Sequence, residues 1–171
     1  MFLKKIKKIT WIRNIYYFCQ RGKKGYCDKD LWDLQNWFTK LFPIMLEDFL
    51  KQANGYPCGY PPQDVKDTEF WYKEQERKWK YEINKLIWNL KEANVETCSQ
   101  QNEIRYEVDF IFKKEKENSS FSTLEFSYPT KTDELNSAKY SERERELELY
   151  RTKCFKEALN QFEKIAKHLW D

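Results

Sequence analysis

Glycine occurs only four times in this 171-residue chain, histidine once, valine three times and alanine five times. So little glycine disfavours folds built on glycine-rich loops, and GxxxxGK[ST], GxGxxG and GxSxG are all absent, which removes the P-loop, the Rossmann fingerprint and the nucleophile elbow. A lone histidine, His168, excludes a multi-histidine metal site, and any Cys–His or Ser–His dyad would have to use that one imidazole. Its place near the end of the last helix suits a cation at a helix C-terminus, which is reason enough for it structurally. The five cysteines (Cys19, Cys27, Cys58, Cys98, Cys154) are odd in number and form no CxxC, so neither a disulfide framework nor a zinc ribbon is indicated. No apolar run reaches 18 residues, and the mean hydropathy of −0.94 agrees that no helix spans a membrane. The start, MFLKKIKKIT, is basic, but Arg13 and Asn14 follow and no small-residue cleavage site appears, so it is a poor signal peptide. A cytoplasmic chain with reduced thiols is expected.

Large side chains take the place of the missing small ones. Hydrophobic residues make up 40% of the chain and aromatics alone 18%, enough for one packed domain over 1–171 whose core is built from rings. Charged residues make up 35%, with a net charge of only +3, too small to mark a nucleic-acid binder by itself. The distribution says more. Residues 1–60 hold eleven basic and five acidic residues together with thirteen of the thirty aromatics. A positive, aromatic-rich half suits an anionic ring-bearing ligand, a nucleic acid or an acidic protein, and an unevenly charged surface accounts for it equally well.

The periodicity predicts a mainly α fold: a bundle of three to four long helices with a β-hairpin or helical insertion around 100–130, inside a wider insertion spanning 98–140. The first helix covers 2–19, with Phe2, Ile6, Ile9 and Tyr16 on one side, Lys4, Lys5 and Lys8 on the other, and Arg13 intruding on the apolar sector. Asp28 is the expected N-cap of the second, with Asp30 in its first turn. Its stripe runs Leu31, Leu34, Phe38, Leu41, Met45 and Phe49; Pro43 should kink or split it, and Asn54-Gly55 should close it in the left-handed conformation. A third helix spans 67–94 with Trp79, Ile83, Leu86, Leu90 and Ala93 buried, and with Trp71, Tyr81 and Trp88 partly off that stripe. The last begins at Ser141, where SERE reads as a capping box, and carries Leu147, Tyr150, Cys154, Ala158, Phe162, Ile165 and Leu169. Between them, alternation at 104–112 and 124–128 around KKEKENSS favours the hairpin over a helix. Aromatics on two-sided helices suggest an oligomer interface, with a homodimer preferred.

The segments QRGKKGYCDKDLWDLQNWF at 20–38, NGYP at 54–57, EANVETCS at 92–99 and the stretch from Tyr150 to Asp171 together resemble a family of small proteins encoded by bacteriophages and prophages. They come from both ends and the middle of the chain. The resemblance implies a phage accessory protein acting on host machinery or host defence, and it carries no catalytic residues with it.

QRGKKGY is the best candidate site. Its glycines permit a tight turn and close approach, and Arg21, Lys23 and Lys24 are phosphate donors. Gln20 adds a polar contact, Arg13 a further cation, and Tyr26, Trp32, Tyr56 and Tyr60 rings that stack on bases. Because Asp28 and Asp30 occupy the following helix start, a phosphate would rest on the basic side chains instead. The competing reading is a solvated turn whose lysines confer solubility. The Lys4–Lys8 cluster divides likewise between a wet helix face, an acidic-membrane contact and a phosphate-backbone contact. The expected function is non-catalytic binding of a nucleotide-derived anion, with no cofactor and no metal, as a sponge for a host immune signal. Two other readings stand beside it: an interaction module that docks on a host protein through Trp71 and Trp88, and a metal-dependent nuclease using Asp109 and Glu125, although Ser127 stands where such enzymes carry a lysine.

Overall fold

The computed structural model describes residues 2–59, 61–114 and 122–169. Four long helices appear among them: α1 (Phe2–Lys24), α2 (Leu34–Gln52), α3 (Thr68–Ala93) and α4 (Lys131–Ile165), with a 3-10 turn at Asp28–Leu31 before α2 and another at Ala166–His168 after α4. Two strands, β1 (Asp109–Lys114) and β2 (Ser122–Ser127), pair antiparallel between α3 and α4, with Phe110 opposite Phe126 and Phe112 opposite Leu124. The fold is the expected one: a helical bundle with a small β-hairpin.

The body is a three-helix assembly in which α3 lies between α2 and α4. The α3 stripe is buried as its periodicity requires, with Ile83, Leu86 and Leu90 fully enclosed and Trp79, Ile87 and Ala93 nearly so. From α4 come Leu147, Cys154, Ala158 and Ile165. Rings supply the volume that a chain poor in valine and alanine lacks. Phe38 and Phe42 stack at 5.0 Å, Phe162 meets Phe42 edge-on at 5.4 Å, and Phe49 meets Trp79 at 5.8 Å. Trp79 Nε1 also donates to the His168 carbonyl (3.2 Å), tying the end of α4 to α3.

The helix starts depend on capping. Asp67 accepts the Phe70 N–H (2.9 Å) at the start of α3, where the periodicity predicted it. Three expected boundaries are corrected. The N-cap of α2 is Asp33, which accepts from Asn36 N–H (2.9 Å), because Asp28 opens the 3-10 turn instead. The last helix begins ten residues before Ser141, capped by Thr130, which accepts the Asp133 N–H (3.1 Å). Ser141 lies inside α4, with its hydroxyl donating to the Ser137 carbonyl, so the tail of the expected 98–140 insertion is the first turns of α4. Asn54-Gly55 is not a left-handed cap, since Ala53 caps α2 and, among the described residues, Gly25 is the one with positive φ.

The buried face of α2 is Phe38, Thr39, Phe42, Pro43, Leu46, Phe49 and Leu50. Leu31, Leu34, Leu41 and Met45, predicted to be inside, are exposed, and Leu31 belongs to the 3-10 turn before α2. The helix carries two apolar stripes, and the one bearing the rings wins the core. Pro43 does not split it. At the α2–α3 junction, buried Asn94 donates to Asn36 (2.7 Å) and Thr39 (2.9 Å) and accepts from the Glu96 N–H (2.8 Å).

Two parts stand off this body. Among the described helices and strands, α1 meets only the Asp28–Leu31 turn, and each hairpin strand meets only its partner strand. Of the expected apolar side of α1, Tyr16 is exposed, and the side chains of Phe2, Ile6 and Ile9 lie outside the described ones. The hairpin face bearing Phe110, Phe112, Leu124 and Phe126 is exposed as well.

Candidate functional site

α1 is 23 residues long, about 34 Å at 1.5 Å per residue. It carries eight basic residues and no acidic one. It runs through Gln20–Lys24, five residues beyond its predicted end, and Gly25 stops it. Gly25 sits at φ 81, where a side chain would be strained, and its N–H closes onto the Arg21 carbonyl at 2.9 Å. The turn is thus at Gly25 alone, and Gly22 lies within the helix.

The chain then folds back and latches. Arg21 grips Asp30 through two bonds, Nη2 to Oδ1 at 2.6 Å and Nε to Oδ2 at 3.1 Å, while the Cys27 N–H donates to the same carboxylate at 2.8 Å. Asp30 is 7% exposed. The Arg21 guanidinium holds the Asp30 carboxyl down to about 2, with the Cys27 bonds assisting against burial, and the guanidinium is raised in return. Gln20 completes the latch, donating to Asp28 (2.6 Å) and to the Tyr16 hydroxyl (2.8 Å) while accepting the Asp28 N–H (2.9 Å).

The expected site residues therefore divide. Gln20 and Arg21 are occupied by the latch. Lys23 and Lys24 are exposed in the last turn of α1, where the helix dipole favours cations, and Lys24 Nζ lies 5.9 Å from the centre of the Tyr26 ring. Trp32, 91% exposed, stands just past the 3-10 turn. Arg13 is exposed on α1, about 12 Å of helix before Arg21. Tyr56 is elsewhere. It follows the far end of α2, a helix about 28 Å long, and its hydroxyl donates to the Tyr72 carbonyl (2.6 Å). Tyr60 lies outside the described residues.

Residue-type reasoning passed over three exposed side chains of α1 itself: Trp11 (64%), Tyr16 (54%) and Phe18 (76%). The available signal was the wheel of α1, whose apolar positions change sides between 2–9 and 11–18, since a helix that packs on a body concentrates its large side chains on one side.

Two clefts open on the body. One, about 400 Å³, lies between the start of α2 and the end of α3 and is edged by Asp33, Asn36, Thr39, Asn94 and Glu96. The other, about 180 Å³, is lined by Leu50, Tyr56, Glu76, Trp79 and Lys80. No cation of α1 lines either.

A buried polar cluster joins the end of α3 to α4. Glu92 accepts from Ser99 Oγ (2.7 Å), Ser99 N–H (3.1 Å) and Tyr150 Oη (2.9 Å). Burial pushes its carboxyl up, but the bonds from Ser99, Tyr150 and Cys98 outweigh it and leave the group below the ordinary carboxylate range. Burial, then the Glu92 bond, raises the Tyr150 phenol, and burial likewise raises Cys154. This cluster pins the 92–99 turn. On the hairpin, Asp109 and Glu125 share one face as diagonal neighbours. Among the described residues no three His, Cys, Asp or Glu side chains converge as a metal site would need. No protein family, curated protein or solved structure matches the chain.

Proposed function

We propose that this chain is a non-catalytic binding protein that holds a nucleotide-derived anion on the open surface of α1 and the turn after it. One observation carries the reading: a helix with eight cations and no carboxylate stands off the body, with Trp11, Tyr16, Phe18, Tyr26 and Trp32 exposed along and just beyond it. Cations neutralise phosphate and rings stack on bases, the two demands such a ligand makes. The cleft edged by Asp33 and Glu96 repels phosphate, so the contact belongs to the open arm. In this reading Arg13, Lys23 and Lys24 contact the anion, Tyr26 and Trp32 its rings, and Arg21 and Gln20 hold the arm. The resemblance to phage proteins extends it to a host molecule sequestered intact in the host cytoplasm.

The test is depletion of linear, cyclic and oligomeric nucleotides by purified protein, followed by heat denaturation and assay of what is released. Intact recovery supports the reading, a changed product makes the protein an enzyme, and depletion of none removes the proposal. The exposed hairpin face favours a second reading, a protein-contact module in which the partner is a host protein or another copy in a dimer. Phe112→Asp would then abolish association while leaving nucleotide depletion intact.

A further inference from the structure

We infer, resting on the reading above, that the ligand is a single-stranded nucleic acid rather than a free nucleotide. The cations fall into two groups, at 4–8 and 21–24, with Arg13 between them. Arg13 and Lys24 alone are about 16 Å apart along α1, and Lys4 to Lys24 cover about 30 Å of helix. One nucleotide cannot answer charges at both ends; a chain of phosphates can. Among the described residues, the two clefts on the body lie off α1 and are edged by Asp33, Glu96 or Glu76.

The rings decide among the extended anions. At about 100° per residue, Trp11, Ile12, Ile15, Tyr16 and Phe18 share an arc of about 160°, whereas the positions of Phe2, Leu3, Ile6 and Ile9 fall in the complementary arc, so the apolar positions change sides along α1. A helix lying in a lipid headgroup layer needs its apolar side chains on one side. A duplex keeps its bases stacked on one another and offers none to a side chain. A single strand that wraps α1 and passes over Tyr26 and Trp32 presents both phosphates and open base faces, the combination that this arm matches.

The test is fluorescence anisotropy with end-labelled oligothymidylates of about two, four, eight and twelve nucleotides between about 50 and 200 mM salt, beside a matched duplex and phosphatidylserine vesicles. Affinity should rise at least ~10-fold from the dimer to the octamer and then level, because once each cation of the ~34 Å arm has a phosphate beside it, further nucleotides add no contact. Arg13→Gln should lower the slope of log K against log salt by ~0.7, the value of one single-strand phosphate contact. Equal affinity for the shortest and longest oligomers overturns this inference and leaves the nucleotide reading standing. Tighter binding to the duplex or the vesicles overturns it too. Binding to no nucleotide or oligonucleotide overturns both.

Discussion

Replacing Asp30 by Asn should open the latch that fixes the end of α1. The side chain keeps its size and loses its charge, so the two-bond grip of Arg21 and the pull on the Cys27 N–H both weaken. The carboxyl sits at about 2 against an ordinary 3.8, a difference worth ~2.4 kcal/mol at 1.36 kcal/mol per pKa unit. Arg21 is 50% exposed, so solvent screening reduces the contribution to ~1–2 kcal/mol. The opening equilibrium should rise ~5–30-fold, the ratio that energy corresponds to. Cys27, 1% exposed, reports the event. Alkylation at pH 8, read cysteine by cysteine by mass spectrometry, should quicken at Cys27 by that factor. Exposed Cys19 and Cys58 should react fast in both proteins, and buried Cys98 and Cys154 slowly in both. An unchanged rate at Cys27 refutes the latch, and a parallel rise at Cys98 and Cys154 refutes its independence from the body. Because the folded carboxyl is depressed, the latch contributes fully above the ordinary value of 3.8 and is lost as pH falls through about 2. Hydrogen exchange of amides 25–31 should show that loss in wild type and not in the variant.

Asn89 is 1% exposed and neither polar atom of its side-chain amide has a partner among the described residues, so Asn89→Leu should raise the urea midpoint by the equivalent of ~1–3 kcal/mol, and a lowered midpoint contradicts this. Glu92→Gln removes a buried acceptor that serves Ser99 and Tyr150 and should cost ~1–3 kcal/mol by the same assay. The depressed Glu92 carboxyl further implies that wild type loses this stability as pH falls below 4.5 through the lower folded value, a dependence that the variant should lack. Trp32→Ala, at a site 91% exposed, should leave the unfolding midpoint within ~0.5 kcal/mol of wild type yet weaken oligonucleotide binding by ~1–3 kcal/mol.

The elements most legible in the sequence were those whose apolar residues fall on one side. Trp79, Ile83, Leu86, Leu90 and Ala93 repeat at helical spacing, and the structure buries all five. The hairpin was readable from alternation, although pairing begins only at Asp109. The stretch before it runs along the start of α4, where the Glu107 N–H meets Asp133 (3.1 Å) and Tyr106 packs against Tyr140. α2 misled because apolar side chains occupy two of its faces, and periodicity alone does not say which meets α3. Ser141 misled because SERE has the right letters in a place where the helix is already running; PTKTD, with its cap Thr130 eleven residues earlier, holds the true boundary. The cations of the candidate site were plain in the composition. That Arg21 belongs to Asp30 was not, since the pairing depends on where Gly25 turns the chain.

The central claim is that the basic arm binds a polyanion without consuming it. The most direct test is equilibrium binding of a labelled single-stranded octamer to wild type and to a Lys23→Gln/Lys24→Gln variant, followed by recovery of the octamer. The account predicts saturable binding that weakens with salt, a weaker complex with a shallower salt slope in the variant, and an octamer returned at full length. Equal binding by the two proteins, or a shortened octamer, would contradict it.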